Sequence, residues 1–112
     1  MDFNDFSTLN RRRSESKNGF NHKLNDWSRS DWIAAVVGEF GEAANIAKKL
    51  NRVRDGIPGN TETPEELKKA LADEIADTFI YLDLWAQAEG FVLQDIVLDK
   101  FQRTSKKIGY PL

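Results

Sequence analysis

Residues 38–50 read GEFGEAANIAKKL. Ala, Leu, Glu and Lys dominate the stretch, and no proline interrupts it, so it favours a helix. Helical residues advance by about 100° each, which places Ala35, Glu39, Glu42, Ile46 and Lys49 on one stripe. Glu39 and Glu42 therefore sit among Val36, Val37, Phe40, Ala43 and Ile46, where a core is expected. The pattern recurs downstream in LADEIADTFIYLDLWAQAEG, residues 71–90. There Leu67, Leu71, Glu74, Asp77, Tyr81 and Trp85 share a face. Each helix carries an acidic pair, E-x-x-E and E-x-x-D, inside an apolar stripe.

The punctuation around these two stretches predicts an all-α chain of about four helices. Phe3, Phe6 and Leu9, at spacing three, suggest a short helix near the N-terminus. KNGFNHKLNDWS reads as a connection. Ser30 is the expected N-cap of the second helix, with Asp31 in its first turn, and the helix runs to about Arg52. RDGIPGNTETP is a loop. Thr63 then caps the third helix, Pro64 suits its first position, and Glu65 and Glu66 suit its positive end. That helix runs to about Glu89 and is closed by Gly90. FVLQDIVLDKFQRTSKKIG forms a fourth, ended by Gly109 and Pro111. No β-alternation and no solenoid repeat is visible. The loop between the second and third helices is short enough to make them antiparallel neighbours, so the four carboxylates can converge.

Length and composition bound the rest. At 112 residues the chain suits one domain, 1–112, with one core. With 40% hydrophobic and 30% charged residues it reads as globular rather than disordered. A net charge of −2 offers no basic excess for nucleic acid. There is no cysteine, which excludes disulfides and thiolate metal sites. MDFNDFSTLN has no apolar leader core and no stretch is long enough for a membrane span, so a cytoplasmic protein is expected. The third helix is apolar over more than half its circumference (Leu71, Ile75, Phe79, Ile80, Leu82, Leu84, Trp85), so a second subunit is expected to cover it.

Buried ionised carboxylates are costly unless compensated, and four together repel. Either Lys48, Lys49 or Arg52 pairs with them, or a hard divalent cation such as Mg2+ sits between them. A di-iron centre would call for E-x-x-H motifs, which are absent. The single histidine, His22, falls in the polar connection and reads as a surface residue. Lys48, Lys49, Arg52 and Arg54 follow the first acidic pair. Lys100, Arg103, Lys106 and Lys107 lie near the C-terminus. They are either a solvated surface or a phosphate clamp. Metal with a phosphate clamp and no P-loop points to phosphoanhydride hydrolysis of a nucleotide.

Three stretches carry a family resemblance: DWSRSDWIAAVVGEFGEAANIAKKLNR, LADEIADTFIYLDLWAQAEG and DKFQRTSKKIGYP. The ordered set GE-x-GE-x-x-N-x-x-KK, E-x-x-D-x-x-x-Y and KF-x-x-x-S-x-K-x-G, over about residues 26–111, resembles the MazG-like, all-α nucleoside triphosphate pyrophosphohydrolase superfamily. The likeness is greatest to small single-domain members of bacteria, phages and mobile elements. It implies a four-helix-type bundle assembling as a homodimer or homotetramer. It also implies hydrolysis of NTPs or dNTPs to the monophosphate and pyrophosphate with Mg2+, Mn2+ being a substitute. By the same resemblance Glu39, Glu42, Glu74 and Asp77 match the metal-binding acids. Lys49 and Lys100 fall near phosphate-contacting positions, Tyr81 lines the nucleotide pocket, and Asn45 belongs to the motif. Glu39 is the expected general base. Thr104 stands where many relatives carry Asn, and Trp27 to Asp31 replaces a segment of some deoxycytidine-preferring relatives, so base preference does not transfer. Trp27 and Trp32 are placed to stack on a base or to pack in the core, with core expected for Trp32. A narrow dUTP or dCTP hydrolase and a non-catalytic helical dimer are the alternative readings.

Overall fold

The computed structural model describes all residues, Met1–Leu112. It is all-helical and has no strand. Its elements are α1 (Phe3–Glu15), a single 3-10 turn (Leu24–Asp26), α2 (Arg29–Asp55), α3 (Pro64–Ala88) and α4 (Leu93–Lys107). No helix is long and apolar enough to cross a membrane.

The chain divides into two compact units, Met1–Arg29 with Asp83–Leu112, and Ser30–Leu82. The first unit is organised by α1 and by a buried polar knot. Asp2 caps α1 through a reciprocal box. Its Oδ1 accepts from the Asp5 backbone N–H at 2.8 Å, and the Asp5 carboxylate accepts from the Asp2 N–H at 3.1 Å. This cap and an Arg11–Glu15 pair at 3.1 Å extend α1 to thirteen residues, beyond what Phe3, Phe6 and Leu9 alone suggest. The connection that follows folds back onto the helix end. Ser14 Oγ donates to the His22 carbonyl at 2.8 Å. Gly19 is required there, because a Cβ would lie 1.9 Å from the Arg13 carbonyl oxygen. His22 is not the plain surface residue expected: it is half-buried, with its ring edge-on to Trp27 at 4.4 Å.

The knot is Asp83, which has no exposure at all. Its carboxyl accepts from Ser7 Oγ (2.6 Å), Asn10 Nδ2 (2.9 Å) and Gln87 Nε2 (3.0 Å). Gln87 Nε2 also donates to the Ser7 carbonyl at 2.9 Å. A buried polar group needs such partners, and these fasten α1 to the C-terminal part of α3. Gly90, at φ 84°, ends α3 as expected. Its N–H donates to Gln87 and that of Phe91 to Ala86, the paired closure of a Schellman motif.

The second unit is an antiparallel helical hairpin. Ser28 occupies the position before α2, so Ser30 lies inside the first turn and is not its cap. Thr63 caps α3 as expected: Thr63 Oγ1 accepts from the Glu66 N–H at 3.1 Å, and the Glu66 carboxylate accepts from the Thr63 N–H at 3.0 Å. Trp32, 2% exposed, is a core residue, as are Ala43 and Leu67. Not every apolar side chain is covered. On α2, Val37 and Phe40 are 60% and 66% exposed, and on α3 Ile75 is 60% exposed.

Candidate metal-binding site

α2 and α3 bring the acidic pairs together. One carboxylate oxygen from each of Glu39, Glu74 and Asp77 lies within 4.8 Å of the others. Glu42, one turn beyond Glu39, contacts Glu74 from the same side. The pairing of 39 with 77 and of 42 with 74 is that of an antiparallel hairpin, and it follows from the i, i+3 spacing of both motifs. Glu39 and Glu74 are half-buried, whereas Glu42 and Asp77 are exposed.

The electrostatics are those of like charges confined together. Contact with the Glu42 carboxyl, then loss of water, then Glu39 push Glu74 up to about 7. Glu39 is raised by desolvation first, then by the charges of Glu42 and Asp77. A hydrogen bond shared with Glu74 acts in the opposite direction on Glu39. Glu74 Oε2, buried from water, has no hydrogen-bond donor. The Glu42 and Glu39 carboxyls beside Glu74 carry no donor when ionised, so a proton, a cation or a water is what satisfies this oxygen.

Of the cations expected as alternative partners of these acids, Lys49 pairs with Glu62 instead, and Lys48 and Arg52 form no ion pair. Lys48 and Lys49 follow Glu42 by six and seven residues, about 9–10 Å along the helix axis. The donor set offered by the cluster is all oxygen and anionic. Hard divalent cations prefer such sets, and the unpartnered Glu74 oxygen is the observation that fits a cation here.

The other expected site residues fall as follows. Asn45 is exposed, one turn beyond Glu42 on α2, and Lys49 lies a turn further. Tyr81 is half-buried on α3, one turn beyond Asp77. Lys100 is exposed on α4 and belongs to the first unit rather than to the hairpin. Trp27 is half-buried against His22. Two participants escaped the sequence reading. Glu62 sits in a polar loop with no periodicity to mark it. Asp83 did leave a signal, as a lone acid in the apolar run Ile80–Trp85.

No protein-family model, no curated protein and no solved structure matches the chain.

Proposed function

We propose that the protein is a Mg2+-dependent nucleoside triphosphate pyrophosphohydrolase of the MazG-like, all-α kind, releasing a monophosphate and pyrophosphate from NTPs or dNTPs. The observation that carries this reading is the convergence of Glu39, Glu74 and Asp77, with Glu42 alongside and one buried Glu74 oxygen without a donor. The motif resemblance supplies the reaction. Glu39, Glu42, Glu74 and Asp77 hold the metal. When bound, Mg2+ or Mn2+ supplies charge neutralisation for the acids and the phosphate oxygens, and it acidifies water.

The chain's own residues do the rest. Glu39, half-buried and raised by its surroundings, takes a proton from the attacking water as general base. The motif resemblance puts Lys49 and Lys100 near phosphate-contacting positions, includes Asn45 in the motif, and has Tyr81 line the nucleotide pocket. Positioning and charge neutralisation account for most of the rate in such chemistry. The protein acts in the cytoplasm as a single domain, folded as a four-helix-type bundle. The uncovered Val37, Phe40 and Ile75 support a homodimer or homotetramer.

The test is pyrophosphate release from each of the eight common NTPs and dNTPs, with Mg2+ and with EDTA. Metal-dependent release is expected, and the panel separates a broad enzyme from a narrow dUTP or dCTP hydrolase. Glu39→Gln should abolish turnover, and near-wild-type turnover with metal bound would remove the base assignment. Folded protein with neither pyrophosphate release nor a thermal shift with Mg2+ would instead fit a non-catalytic helical dimer.

A further inference from the structure

We infer that Glu62 is the resting counter-ion of Lys49, a positioning residue that an incoming polyphosphate displaces. The inference rests on the hydrolase reading above. Lys49 shares its stripe of α2 with Glu39, Glu42 and Ile46, so its side chain belongs to the acid-bearing side of the hairpin. Both oxygens of Glu62 receive its ammonium, at 3.0 and 3.2 Å, and Thr61 Oγ1 steadies Glu62 at 3.1 Å. The pair is open to water, with side chains 41% and 32% exposed, so it is screened and readily broken.

The loop itself is held by different atoms. Asn60 Nδ2 donates to the Lys49 carbonyl at 2.8 Å, and the Ile57 N–H donates to Arg52 at 2.9 Å. Neither bond uses the ammonium. Lys49 can therefore exchange Glu62 for a phosphate oxygen while residues 56–63 stay in place. A ligand bearing several negative charges wins this exchange against one carboxylate, and a singly charged ligand does not. Glu62 thus holds the ammonium at rest and favours polyphosphates over less charged ligands.

The experiment uses the full chain and inorganic tripolyphosphate with Mg2+, measured by calorimetry for wild type, Glu62→Gln, Lys49→Ala and the double variant, together with steady-state turnover. Glu62→Gln should bind tripolyphosphate roughly two- to fivefold more tightly, the range open to an exposed ion pair. The gain should appear in KM rather than kcat, and it should vanish in the Lys49→Ala background. Unchanged or weaker binding by Glu62→Gln, with an unaltered melting temperature, overturns the inference, as does a gain that survives the loss of Lys49. If wild type neither binds tripolyphosphate nor releases pyrophosphate, the hydrolase reading itself fails and this inference falls with it. If wild type binds and Glu62→Gln matches it, only the role of Glu62 is lost.

Discussion

At the scale of single residues, the chemistry is concentrated on Glu74. Its folded-state pKa of about 7 lies above the ordinary value of 4.5. Between these values the folded chain holds a proton that the unfolded chain has released. Folding is therefore favoured at the acid end of the window, and stability falls as pH rises from about 4.5 toward 7. A melting-temperature series across that range in EDTA should show the decline, and Glu74→Gln should flatten it. Mg2+ should restore stability at pH 7 by replacing the proton. Asp83 poses the opposite case, an acid whose partners are all in place. Asp83→Ala removes the buried carboxyl on which Ser7, Asn10 and Gln87 converge, and removing one partner of a buried polar group costs about 1–3 kcal/mol. Denaturant unfolding should register a loss of that size, while the acid cluster on the hairpin keeps its metal response.

At the scale of elements, helix ends were the most legible part of the sequence. Thr63, Glu66 and Gly90 each act through local hydrogen bonds or backbone conformation, so spacing alone identifies them. Thr63→Ala should lower stability by about 1 kcal/mol, seen in thermal unfolding, without moving Glu74 or Asp77. The acid stripes were legible for a related reason: two i, i+3 pairs on antiparallel helices have few ways to avoid one another. Contacts made by tertiary folding were not legible. Nothing in NTETP announces that Glu62 reaches Lys49, thirteen residues earlier in the chain. Nor does the spacing of Ser7 and Asn10 point to an acid more than seventy residues away. Ser30 was misplaced because two serines flank Arg29, and either could serve as a cap.

At the scale of the molecule, the apolar pattern of α3 indicated more surface than the chain covers. Ile75 on α3, with Val37 and Phe40 on α2, remains open. Gly38 and Gly41 add to this, since a Cβ at either would meet nothing within 4 Å. Helical glycine costs about 1 kcal/mol relative to alanine, and no contact within the chain accounts for two of them. Light scattering should report a dimer or tetramer, and Phe40→Asp should shift the mass toward the monomer. A wild-type monomer would remove this part of the account.

Everything proposed for the hairpin depends on Glu39, Glu42, Glu74 and Asp77 together holding a divalent cation. The most direct measurement is titration of Mn2+ followed by electron paramagnetic resonance. The folded wild-type chain should suppress the free-ion signal, Mg2+ should compete for the site, and Glu74→Gln should return the signal toward that of free Mn2+. An undiminished free-ion signal with folded wild-type protein would contradict it.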